Sequence, residues 1–331
     1  MNYRQFGRTD LRVSEIGFGA WGIAGPAMAG DIPIGWGKVD DSESKAALRA
    51  AFDQGVNFYD TADFYGFGHS EKLLGEVFGN RPDVIIASKV GQRLGADDSI
   101  QIDYSRAHIL QACEDSLRRL KRDQIEFYQL HVARMQHLES GECITAMQDL
   151  QQAGKIRYWG ISLNTFAPEP EGTFFMDHQL GHGFQLVLNL INQKAIGLMR
   201  AAAQQGYGII ARMPFQFGLL TGKLTRATTF ERDDHRMFRL TPDVLQVSLD
   251  TLEPIWDAYR QKYQMTPLQL ALRFILSFPE ISTVIPGIKT VAQAQLNTSP
   301  GPLLSPEDHE WLQSLYASDF EALLKQMQGK G

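Results

Sequence analysis

"NFYDTADFYGFGHSEKLLGE", residues 57–76, carries one complete structural period of this chain. Its first residues form a short apolar run of strand character, and from about Ser70 the apolar positions follow helical spacing. Between the two lie Asp60, Thr61, Asp63, Tyr65 and a Gly-Phe-Gly. A strand, a polar loop and a helix in that order make one β/α unit. Such a strand needs parallel neighbours and cover on both faces.

The same period runs outward in both directions. Strand-like runs stand at 16–22 (IGFGAWG), 57–62, 83–90 (DVIIASKV), 125–131 (IEFYQLH), 156–162 (IRYWGIS), 184–190 (FQLVLNL), 208–214 (GIIARMP) and 282–287 (STVIPG). Helical patterns cover 42–55, with Ser42 and Gly55 as caps, then a segment from about 70, followed by 105–120, 139–153 and 193–205. Further helices fit 243–263, 267–277, 290–296 and 306–326. Eight strand-like runs joined by helices predict an α/β fold of the (β/α)8 TIM-barrel type, with 1–331 as one domain. A doubly wound sheet is the competing fold, but no G-x-G-x-x-G follows the first strand. Residues 3–13, with a turn at Gly7 to Asp10, read as a β-hairpin closing the barrel bottom.

Composition removes several function classes. Hydrophobic residues at 44% and charged residues at 21% are the balance of a globular chain. A net charge of -6 offers no footprint for nucleic acid or an anionic membrane. Cys113 and Cys143 alone make no disulfide framework and suit a reducing cytoplasm. The polar start, MNYRQFGRTDLRV, lacks a signal-peptide core, and no apolar run reaches the ~18 residues of a membrane span. The expectation is a cytoplasmic enzyme acting on a small molecule.

In such a barrel, chemistry sits at the C-terminal strand ends. Asp60 ends the second strand, Tyr65 follows it, Lys89 ends the third and His131 the fourth. Each has an ordinary alternative: Asp60 as a turn cap, Tyr65 as a rim aromatic, His131 as a core histidine. Lys89 is harder to dismiss, because a lysine within VIIASKV needs a buried partner. Together they compose a proton-transfer site. An ammonium beside a phenol favours the phenolate, Asp60 would hold that ammonium, and His131 would orient a carbonyl oxygen. Tyr65 is then the general acid, and the hydride must come from a cofactor.

These residues resemble the aldo-keto reductases, NADPH-dependent (β/α)8 barrels, over nearly the whole chain. The signature stretch is similar to D-T-A-x-x-Y-G-x-G-x-S-E-x-x-(L/I)-G, which implies a catalytic tetrad of Asp60, Tyr65, Lys89 and His131. The resemblance implies that Ala20 and Trp21 lie beside the nicotinamide ribose, that Ser162 and Gln185 bind the carboxamide, and that Asp60 also belongs to the cofactor site. Leu163 stands where the family often has asparagine, and Asn164 falls one position later. Arg212 replaces an aromatic that stacks on nicotinamide, a role a flat guanidinium also fits. Arg212, Pro214, Gly218 and Lys223 belong to the segment placed around the pyrophosphate, with Arg236 in the loop beyond. Gly287, Lys289, Gln293 and Asn297 match the segment gripping the adenosine half, and cationic Lys289 favours NADPH (NADP+) over NADH.

The resemblance leaves two functions open: reduction of aldehydes or ketones to alcohols, or a non-catalytic NADP(H)-binding sensor of the same fold. No metal is expected. The pair His178 and His182 reads as a loop coincidence, and His131 and Asp60 alone make a poor ligand set. Trp21, Trp36, Phe64 and Phe67 stand as pocket walls or as loop packing, and the long loop 24–41 as functional or mobile.

Overall fold

The structure is a computed structural model describing residues 1–35, 37–231, 234 and 236–328. Eight parallel strands follow one another around a barrel: β1 (Phe18–Gly19), β2 (Phe58–Asp60), β3 (Ile85–Val90), β4 (Ile125–His131), β5 (Ile156–Ser162), β6 (Gly183–Val187), β7 (Gly208–Arg212) and β8 (Thr283–Ile285). The circle closes where the Gly17 and Gly19 N–H groups donate to the Val284 and Pro286 carbonyls at 2.8 and 2.9 Å. Most strand residues are buried on both faces, as runs such as IIASKV require.

Helices return the chain between strands and cover the outside. The ones that position the site are α1 (Asp41–Asp53), α2 (His69–Val77) and α3 (Arg106–Leu120), after β1, β2 and β3 respectively. At the N-terminal end of the barrel, Tyr3–Gln5 pairs antiparallel with Arg12–Ser14, the expected hairpin. Phe6 beside it is fully buried among Leu11, Val13, Phe58, Phe127 and Ile210. Side chains at Gly183 or Gly208 would meet its ring at 2.8 and 2.6 Å, so glycines there make room for this plug. Polar groups therefore gather at the other mouth.

Several boundaries differ from expectation. Asp40, not Ser42, caps α1, because its carboxylate accepts the Ser42 and Glu43 N–H groups at 2.7 and 3.0 Å. Gln54 is the C-cap, and Gly55 follows with φ +89°. The first strand stops at Gly19, since Ala20–Ile23 turn into a short 3-10 helix. The sixth stops at Val187, and Asn189 beyond it builds a turn by accepting the Ile191 and Asn192 N–H groups. The helix expected at 139–153 is two helices, Met135–Ser140 and Glu142–Gln152, divided by Gly141 at φ +77°. The one at 306–326 is Pro306–Leu315 and Glu321–Gln328, joined by a π turn. Loop 24–41 holds a two-stranded ribbon, Met28–Ala29 with Ile32–Pro33, while Trp36 lies outside the described residues. Cys113 and Cys143 are buried free thiols on helices.

Candidate active site

Adjacent strands bring the polar residues into one layer at the barrel mouth. Register sets Gln129 opposite Lys89, His131 opposite Ser162, and Ser162 opposite Gln185. Lys89 is fully buried, yet its Nζ finds three acceptors: Asp60 Oδ1 at 2.5 Å, the Thr61 carbonyl at 2.8 Å and the Tyr65 hydroxyl at 3.2 Å. Burial alone pulls the Lys89 pKa down, but the Asp60 carboxylate and Tyr65 outweigh it and hold the ammonium above its ordinary value. The other Asp60 oxygen accepts from Gln185 Nε2 at 2.6 Å and Gln129 Nε2 at 3.2 Å.

Tyr65 lies between two rings. Trp21 stacks on it with centroids 6.1 Å apart, and His131 meets it edge-on at 5.8 Å. Burial pushes the His131 imidazole well below its usual pKa, helped by the cations Lys89 and Arg212, so the ring is neutral at pH 7. Its Nδ1 is buried and finds no partner among the described residues. The Tyr104 hydroxyl holds the His131 carbonyl at 2.5 Å. Gly91 makes that possible, because a Cβ there would meet the Tyr104 ring at 2.1 Å, and its φ of +121° suits glycine alone.

The loop carrying Tyr65 is anchored at both ends. Thr61 Oγ1 donates to Ser70 Oγ at 2.8 Å, which donates to the Ala20 carbonyl at 2.9 Å. Gly66 has φ +59°, and a Cβ there would stand 2.2 Å from the Ala24 carbonyl oxygen. Phe64 is buried and packs edge-on to Phe67, which is 43% exposed at the rim. Phe64 is thus loop packing, whereas Phe67 faces outward.

Sequence reasoning missed two supports of this layer. Gln129 had a signal: a polar residue two positions before His131 in an apolar strand lies on the same face. Buried Glu71 on α2 had less. It accepts from Ser88 Oγ at 2.5 Å, beside Lys89, and from Arg119 Nε of α3 at 2.7 Å. Asp63 lies nearby, its carboxyl pushed well up by burial and by Glu71.

The other expected residues separate into two groups. Toward the tetrad, Ser162 Oγ donates to Gln185 Oε1 at 3.4 Å, and both side chains are buried. Arg212 Nη2 donates to the Leu163 carbonyl and Thr165 Oγ1, each at 3.1 Å, while its Nε is buried without a partner. Among the described residues Arg212 makes no ion pair, although Tyr65 and Asp60 lie within its electrostatic reach. Leu163 is buried, and Asn164 is occupied as a local turn: its Oδ1 accepts the Phe166 and Ala167 N–H groups at 2.9 Å.

Farther along, Gly218 (φ +93°) faces Arg236, whose Nη1 is 3.8 Å from where a Cβ would sit. Arg236 pairs with Asp234 at 2.6 Å. The Lys289 stem passes 3.0 Å from a Cβ position at Gly22; burial, then Arg236, pulls its pKa below the usual value. The first loop, the Gly218 turn and the segment after β8 thereby converge around two cations. Gln293 and Asn297 hold that last turn together, accepting the Lys289 N–H at 2.7 Å and donating to the Gly287 carbonyl at 3.4 Å. Pro214 is buried, Gly287 is exposed, and Lys223 is exposed on the turn beyond β7. Open glycine turns, a cationic end and orphan polar atoms beside the tetrad fit a nucleotide cofactor at this mouth.

His178 and His182 each pack on a ring, Phe174 and Tyr158, away from this layer. Among the described residues no group of three His, Cys, Asp or Glu is placed to hold a metal. No helix among them is long and apolar enough to cross a membrane. An open cleft of about 1060 Å³ lies at the hairpin end, lined by Arg4, Arg200, Phe278, Glu280, His309 and Gln313; none of the tetrad lines it.

A closed eight-stranded barrel thus carries a layer of Asp60, Tyr65, Lys89 and His131 at its mouth. The sequence profile of the aldo/keto reductase family matches residues 15–317. The chain is 31% identical to the aldo-keto reductase YhdN of Bacillus subtilis, over 94% of this chain and 92% of that one. Among solved structures it resembles the glycerol dehydrogenase AKR11B4 of Gluconobacter oxydans (TM-score 0.80, 26% identity, 96% and 95% of the two chains). It also resembles the holo form of the aldo-keto reductase AKR11C1 of Bacillus halodurans (TM-score 0.74, 26% identity, 95% and 96%). The chain belongs to the aldo/keto reductase family.

Proposed function

We propose that this chain reduces a small aldehyde or ketone to the alcohol, using NADPH and Tyr65 as proton donor. One observation carries the reading: a single buried ammonium, Lys89 Nζ, is bonded to both the Asp60 carboxylate and the Tyr65 hydroxyl. NADPH, when bound, would supply the hydride. The Tyr65 hydroxyl hands its proton to the oxygen as negative charge develops there, and the fixed ammonium stabilises the phenolate left behind. Neutral His131 bonds the same oxygen through a ring nitrogen and sets its direction. Asp60 keeps Lys89 charged and in place.

Ser162 and Gln185 are the candidates to hold the carboxamide, and Ala20, Trp21 and Arg212 to flank the ring. Pro214, Gly218, Lys223 and Arg236 would follow the phosphates, with Gly287, Lys289, Gln293 and Asn297 at the adenosine end. The cations Lys289 and Arg236, close in space, favour a 2′-phosphate and hence NADPH over NADH. A linked tetrad supports turnover over a sensor role, because a sensor has no need of a positioned acid. The test is Tyr65→Phe assayed by loss of nicotinamide absorbance over a panel of small aldehydes and ketones. The variant should lose about 10²–10⁴-fold in kcat while binding NADPH nearly as tightly. Retention of most activity would remove Tyr65 as the acid. Wild-type protein that binds NADPH but oxidises it with no carbonyl would support the sensor.

A further inference from the structure

We infer that Arg212 makes this site discriminate by redox state, holding the reduced nicotinamide nucleotide more tightly than the oxidised one. The inference rests on the reading of the chain as an NADPH-dependent reductase.

The starting point is the charge balance at the barrel mouth. Asp60 and Lys89 form a buried ion pair at 2.5 Å and cancel. His131 is neutral. The guanidinium of Arg212 is left without a carboxylate partner among the described residues. Its contacts are the neutral Leu163 carbonyl, Thr165 Oγ1 and Met213 Sδ, and its Nε is an orphan. A guanidinium does not shed its proton in a protein, so this charge is permanent.

Its location is fixed by what it acts on. Arg212 ends β7 and its Nη2 bonds across to the Leu163 carbonyl, next to Ser162 of the mouth layer, within electrostatic reach of His131, Tyr65 and Asp60. Hydride transfer requires donor and acceptor carbons about 3–3.5 Å apart, and the acceptor oxygen must reach Tyr65. Any hydride donor at this site therefore shares the half-buried mouth with the guanidinium. A reduced nicotinamide ring is neutral, whereas the oxidised ring carries one positive charge. Both forms have the same phosphates, so the cations Arg236 and Lys289 act on them equally. Asp60 and Lys89 offset one another, so Arg212 is the uncompensated charge that sees the difference, and like charges repel more in a partly buried site than in bulk water.

The consequence is a release mechanism built into the binding site. The spent nucleotide is destabilised the moment its ring becomes charged, which speeds its exchange for the reduced form.

The test is equilibrium binding of NADPH and of NADP+ to wild type, Arg212→Gln and Arg212→Lys, followed by nucleotide or protein fluorescence with no substrate present. In the wild type the NADP+ Kd should exceed the NADPH Kd, and Arg212→Gln should shrink that ratio by roughly 10–100-fold, as expected for removing one like charge from a low-dielectric pocket. Arg212→Lys, which restores the charge, should restore most of the ratio. A ratio unchanged in Arg212→Gln, with both nucleotides still bound, overturns this inference and leaves the proposed reaction standing. Wild-type protein that binds neither nucleotide overturns both.

Discussion

Replacing Lys89 by methionine tests the tetrad most directly. Methionine fills much of the stem's volume, so the loss is chiefly the charge and its three hydrogen bonds, to Asp60, Thr61 and Tyr65. Asp60, about 2% exposed, would keep only the amide donors of Gln185 and Gln129. Stripping one partner from a buried pair costs about 3–5 kcal/mol, because the other charge stays behind uncompensated. The unmade bond at the Thr61 carbonyl adds about 1–3 kcal/mol. Asp60→Asn in the Lys89→Met background removes the stranded charge, and should return more than half of the loss in urea unfolding at pH 7. Activity should behave differently: down by about 10²-fold or more in the single variant and not recovered in the double, because no ammonium stabilises the phenolate. A loss under about 1 kcal/mol in Lys89→Met, or a double variant as unstable as the single, would refute the reasoning about buried charge.

His131 is neutral in the fold with its pKa well below the ordinary value, so its contribution to stability is present above the unfolded-state pKa and is lost as pH falls toward the folded one. Urea unfolding between pH 7 and 5 should show a slope from this group of up to about 1.4 kcal/mol per pH unit, absent in His131→Asn. Phe6→Ala empties the plug at the far end of the barrel and should cost about 3–5 kcal/mol, with NADPH affinity unchanged in titrations of the folded protein. Gly91→Ala forces Tyr104 off the His131 carbonyl, so steady-state kinetics should show kcat falling while the NADPH Kd holds.

Much of this architecture is written in local pattern. The runs 125–131 and 156–162 are strands at their expected bounds, each opening on isoleucine and carrying two adjacent aromatics, the residue types that suit a strand. Lys89 stood out because a lysine inside an apolar strand needs a buried partner, whereas Asp60, Tyr65 and His131 each had an ordinary alternative and gained weight only beside it. Glu71, Ser88 and Arg119 were not, since nothing in their spacing says that two helices and a strand meet there. Asp40 and Asp41 both precede Ser42, and any of the three suits a cap, so only backbone geometry selects Asp40. Gln293 and Asn297 sit at the matching positions, yet in this structure their hydrogen bonds hold the turn, a use that spacing does not reveal.

Asp60 also sets the orientation of a second group. Gln185 gives both amide hydrogens away, to Asp60 and to the Gln129 oxygen at 3.2 Å, which leaves its own oxygen toward Ser162. What Gln185 has left to offer at the mouth is an acceptor, its carbonyl oxygen, and not a donor. Through one glutamine, the carboxylate that holds Lys89 also decides which atom of Gln185 is turned toward Ser162 on the neighbouring strand.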